Sequence, residues 1–119
     1  MKRITLALLL ITLGGCASAA SSQSKGAVGD MQDDRELEVR FLELEAEQGS
    51  LATLLSQQPV DCARACDLRA SITNLAGKIC SLTKRMKDRA RDIQCVDARR
   101  RAEIAKSDVK EVCDCRSGK

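Results

Sequence analysis

Histidine, tyrosine and tryptophan are absent from this 119-residue chain, Phe41 is its only aromatic residue and Pro59 its only proline. Each absence closes a class of function. Without histidine there is no Ser–His or Cys–His nucleophile pair and no site built from two cysteines and two histidines. Without aromatic faces there is no platform on which unpaired nucleobases stack, so nucleic acid is not an expected partner. A long apolar run is lacking too. The mostly apolar stretch at residues 4–13 is about half of the ~20 residues that a helix needs to span a bilayer. What the chain does hold is cysteine, seven in all, and charge, 31% of its residues. Its length supports one small domain at most.

The apolar stretch follows Met1, Lys2 and Arg3, so residues 1–15 have the layout of a signal peptide. It closes on Leu13-Gly14-Gly15-Cys16. These four residues resemble the lipobox of bacterial lipoprotein precursors: a leucine three before the cysteine, two small residues, then a thiol that accepts the acyl lipid. The resemblance implies acylation of the Cys16 sulfur, cleavage between Gly15 and Cys16, and usually acylation of the new amine. Two or three chains at ~0.8 kcal/mol per buried CH2 anchor a protein stably in a membrane. In Gram-negative lipoproteins an aspartate after the cysteine favours inner-membrane retention. Ala17 therefore implies the outer membrane, with the body facing the periplasm or the cell surface. The alternative is an ordinary secretory leader cut after Ala19, which discards Cys16.

Residues 16–29 are small, polar and unpatterned. They hold too little apolar surface to offset the entropy of ordering, and a flexible tether is expected. Beyond them the charge divides. Residues 30–58 carry Asp30, Asp33, Asp34, Glu36, Glu38, Glu43, Glu45 and Glu47 against Arg35 and Arg40, whereas residues 61–119 hold fifteen basic side chains against nine acidic ones. The plain reading is that the acidic segment packs beside the basic one and the fields cancel. The sharper one is a basic surface for anionic lipid, lipopolysaccharide phosphate or an acidic partner.

Three blocks carry apolar residues at helical spacing, which predicts an all-α fold. In the first, residues 30–58, Leu37, Phe41, Leu44, Leu51 and Leu55 recur in steps of four and three, with Gln48 in the open slot. Asp30 or Asp33 is the expected N-cap, and Gln57-Gln58-Pro59 the stop. After Pro59, Asp61 is expected to cap a second helix with the seam Leu68, Ile72, Leu75, Ile79, Leu82 and Met86. The third block carries Cys95, Ala98, Ala102, Ala105, Val109 and Val112. Its seam is mostly alanine, which lets helices approach closely. Extending the second register past Met86 reaches Arg89, Ile93, Val96, Arg100, Glu103 and Ser107, half of them charged. A turn near residues 86–89, with Asp88 capping the next helix, is therefore expected in place of one long rod. Residues 116–119 are expected to fray.

If Cys16 carries lipid, six cysteines remain: Cys62, Cys66, Cys80, Cys95, Cys113 and Cys115. An even count in an exported small chain predicts three disulfides. Cys62 precedes Cys80 by 18 residues, and Cys95 precedes Cys113 by the same 18. That is five helical turns, ~27 Å, so each pair lies along one helix face. Folding the chain at 87–88 sets Cys80 opposite Cys95 and Cys62 opposite Cys113. Cys80–Cys95 is the expected bridge at the tip end. The base admits two pairings: Cys62–Cys113 with Cys66–Cys115, or Cys66–Cys113 with Cys62–Cys115. The cysteine line of the second block lies roughly 110–130° from its Leu/Ile seam, which leaves the seam free for the first block. The expected fold is thus a disulfide-stapled antiparallel helical hairpin over residues 61–115 plus an N-terminal amphipathic helix, a three-helix bundle. Paired cysteines on antiparallel helices are similar to the twin-cysteine hairpins of the coiled-coil–helix–coiled-coil–helix type, with wider spacing here. A Cys₄ zinc site from Cys62, Cys66, Cys113 and Cys115 competes on paper. Export disfavours it, and it leaves Cys80 and Cys95 without a role.

No catalytic constellation, metal site or cofactor site is expected. Asp92, Asp97, Glu103, Asp108 and Glu111 sit among arginines and lysines, as on a solvated helix face with weak ion pairs. The hairpin tip gathers Lys84, Arg85, Lys87, Arg89 and Arg91. It reads as a soluble turn, or else as a dock for an anionic surface. The expected function is a membrane-anchored envelope module that scaffolds or regulates a protein partner, without enzymatic activity. Two alternatives stand beside it. The lipid anchor, heptads and C-terminal Lys119 look somewhat like the murein lipoprotein, which implies a structural protein joined to peptidoglycan through that lysine. A small disulfide-rich inhibitor is the other.

Overall fold

The computed structural model describes residues 27–116 and contains three helices: α1 (Ala27–Leu55), α2 (Cys62–Met86) and α3 (Arg89–Val112). There is no strand among the described residues. The helices α2 and α3 form an antiparallel hairpin. Side-chain contacts run from Asp33 to Arg85 at one end of α2 and from Glu47 to Ser71 near its middle, so α1 lies antiparallel to α2 and parallel to α3.

Local chemistry sets the hairpin's boundaries. Asp61 keeps an extended backbone, and its carboxylate accepts the Arg64 N–H at 3.1 Å, satisfying one of the orphan donors at the start of α2. Lys84 and Arg85 occupy the last turn of α2, where the dipole favours cations. The chain then reverses in two residues. Lys87 adopts the left-handed conformation (φ 51°, ψ 29°), and Asp88 returns to extended backbone and accepts the Ala90 N–H at 2.9 Å. The turn falls at the mirror point implied by the cysteine spacing.

The start of α1 departs from expectation. It is already helical at Ala27, the first described residue and inside the segment read as tether, so Asp30 and Asp33 lie within the helix and neither caps it. Nothing in Ala27-Val28-Gly29 prevents backward extension, since one glycine costs only ~1 kcal/mol. At its far end α1 stops at Leu55, ahead of Pro59.

The core runs between all three helices. Leu37, Leu44, Leu51 and Leu54 come from α1, and Ala65, Ile72, Leu75, Ala76, Ile79 and Leu82 from α2. Ala98, Ala102, Ala105 and Val109 come from α3. Phe41, Leu55, Leu68 and Met86 form its partly buried rim. Leu55 packs at the rim as its seam position implies, and Leu54 beside it, outside that seam, is buried as well. One seam position is corrected. Val112 is exposed: α3 ends there, and Cys113 turns inward on extended backbone (φ −134°, ψ 142°) to fill the buried slot.

Candidate interaction surface

The six cysteines of the hairpin form three bridges. Cys80 pairs with Cys95 (Cα–Cα 4.6 Å), Cys62 with Cys113 (5.4 Å) and Cys66 with Cys115 (5.6 Å). The base pairing left open by the sequence is therefore the crossed one, Cys62 with Cys113 and Cys66 with Cys115. All four would-be zinc ligands are tied up in it. Among the described residues no three His, Cys, Asp or Glu side chains gather as a metal site. The lipidation candidate Cys16 and the C-terminal Lys119 lie outside the described residues, as do the expected leader and most of the tether.

The five basic residues of the tip divide into two groups. Arg85 reaches Asp33 of α1 at 3.2 Å, and Arg91 donates to Asp34 and stands 3.9 Å from Asp88. These two arginines clasp the opening turns of α1. Lys84, Lys87 and Arg89 are exposed and have no carboxylate of residues 31–116 within 4 Å. Further down, Arg101 donates to Asp97 at 2.8 Å and to Gln48 at 3.2 Å, with Glu45 at 3.8 Å. The Ser71 hydroxyl donates to Glu47 at 2.7 Å. Acidic α1 thus lies against the basic hairpin residue by residue, and Gln48, the polar break in its stripe, is the side chain that receives Arg101.

The carboxylates of α3 do not converge. Asp97 serves Arg101 and Glu103 pairs with Lys106 at 2.9 Å, while Asp92, Asp108 and Glu111 are exposed. On α1, hydrogen bonding from Arg40 to Glu43, helped by the charges of Glu43 and Glu36, holds the guanidinium more firmly protonated than usual. The concavities are shallow grooves between helices. One, between α1 and α3 near the tip, is lined by Asp34, Leu37, Glu38, Phe41, Arg91 and Gln94.

A second feature escapes seam counting. Met31, Val39 and Leu42 are exposed on α1, and Ile93, Val96 and Ile104 on α3. Arg35, Val39, Leu42, Ala46 and Gly49 repeat in steps of four and three on the outer side of α1. The residues Ile93, Val96 and Arg100 do so on α3, in the very register set aside as too charged to continue α2. No described helix is long and apolar enough to cross a membrane. No family model matches the chain, and no curated protein and no solved structure matches it.

Proposed function

We propose that the chain is a lipid-anchored envelope protein of the outer membrane, whose stapled bundle serves as a protein-interaction or scaffolding module rather than as an enzyme. Cysteine usage carries the reading. Six cysteines pair within the bundle. Three such bridges in a small helical domain belong to an oxidising compartment. The odd seventh, Cys16, sits in Leu13-Gly14-Gly15-Cys16 behind a basic and apolar leader. Ala17 supports sorting to the outer membrane. The surface supports a binding role: exposed aliphatic side chains on α1 and α3 accompany three exposed cations at the tip.

Intact mass of the protein taken from its native membrane tests the anchor and the staples together. The expected species begins at Cys16, carries two or three acyl chains, and gains two hydrogens per bridge on reduction. Six free thiols, or a different first residue, would overturn the reading.

A further inference from the structure

We propose that the tip of the hairpin is a second membrane contact, in which Lys84, Lys87 and Arg89 rest on anionic phospholipid headgroups of the bilayer that holds Cys16. The inference builds on the lipid-anchor reading and adds an orientation to it. Its first support is topological. The clasps Asp33–Arg85 and Asp34–Arg91 place the start of α1 at the tip, not at the base. From Ala27 the chain has eleven residues to Cys16. That length spans at most ~40 Å when extended. The bundle itself is ~37 Å long, from the 25 residues of α2. The tip is therefore the end that the anchor reaches first, and the base stands a full helix length beyond it.

Charge is the second support. Asp33 and Asp34 of α1 are spent on Arg85 and Arg91, and Asp88 on the Ala90 N–H. Lys84, Lys87 and Arg89 remain, with exposed Asp92 as the opposing charge in the first turn of α3. The third support is apolar. Ile93 is 71% exposed and Met31 58%, each near the tip end of its helix. Cations with aliphatic side chains beside them suit the boundary between headgroups and acyl chains, which a soluble anion does not offer.

The test uses the mature chain from Cys16 with Cys16→Ser, oxidised, so that the tip is measured without fat. It is expected to float with vesicles rich in phosphatidylglycerol and not with phosphatidylcholine vesicles, and to be released in ~1 M NaCl, where the Debye length is ~3 Å. Neutralising the tip with Lys84→Gln, Lys87→Gln and Arg89→Gln should lower partitioning about fivefold per cation. Circular dichroism and an unchanged bridge count show that the variant is folded. In the acylated wild type, amide exchange at residues 87–91 should slow on anionic vesicles only. Equal partitioning into both vesicle types, or binding retained by the folded triple variant, overturns the proposal. A wild-type mass without acyl chains overturns the anchor reading instead, and the vesicle assay still reports on the tip.

Discussion

The helices α2 and α3 are joined by three covalent bridges across a seam of alanine, whereas α1 is held by leucines and ion pairs with no crosslink at all. The two halves solve one problem by different means. Ala98, Ala102 and Ala105 let α3 come close enough for cysteine pairs at Cα separations of 4.6–5.6 Å. The same small side chains bury little apolar area, so the hairpin needs the bridges that they make room for. Leu37, Leu44, Leu51 and Leu54 bury far more per residue, roughly 1.5–3 kcal/mol each, and α1 stays in place without sulfur. The bundle thus has one half fixed by topology and one half free to detach.

Reducing all three bridges should have the largest effect. Each contributes about 2–4 kcal/mol, and the expected outcome is loss of the cooperative unfolding transition of α2 and α3, seen by circular dichroism with and without reductant. A melt that reductant leaves unchanged would break the comparison. Next, Leu44→Ala should cost about 2–5 kcal/mol, because Leu44 is fully buried in the α1 contact. Amide exchange should rise along α1 while the hairpin keeps its protection. A smaller difference separates the staples themselves. With Cys62–Cys113 closed, Cys66–Cys115 adds only a short loop, whereas Cys80–Cys95 closes one of sequence separation 15. Replacing the pair Cys80 and Cys95 by alanine should therefore cost about 1 kcal/mol more than replacing Cys66 and Cys115, by denaturant midpoints. Smallest of all, Lys87→Gly should raise stability by about 0.5–1 kcal/mol. Glycine holds the left-handed backbone of that turn without a Cβ clash.

The hairpin was legible because two independent sequence signals share one mirror point. Cysteine spacing and the break in the apolar register both locate the reversal at Lys87 and Asp88, and Asp61 and Asp88 are capping residues in the usual places. The crossed base pairing was not legible, since both alternatives satisfy the same spacing. The end of α3 was legible in Cys113-Asp114-Cys115, because two cysteines two residues apart face the same way only off the helix, and Cys113 does leave it on extended backbone. The beginning of α1 was misplaced because a small, polar stretch carries no apolar period whether or not it is helical. That acid would meet base was readable from the charge split. That Arg85 and Arg91 would be taken while Lys84, Lys87 and Arg89 are left exposed was not, because the choice depends on how far α1 slides along the hairpin.

One consequence of the three bridges concerns the peptide bond after Lys87. Lys87 is exposed at a tight reversal, a natural place for a trypsin-like protease to cut. Three sulfur links lie behind that point, so a single nick adds one water to the mass and separates nothing until a reductant arrives. Backbone continuity at the apex is redundant, and the molecule can persist as two chains with one shape.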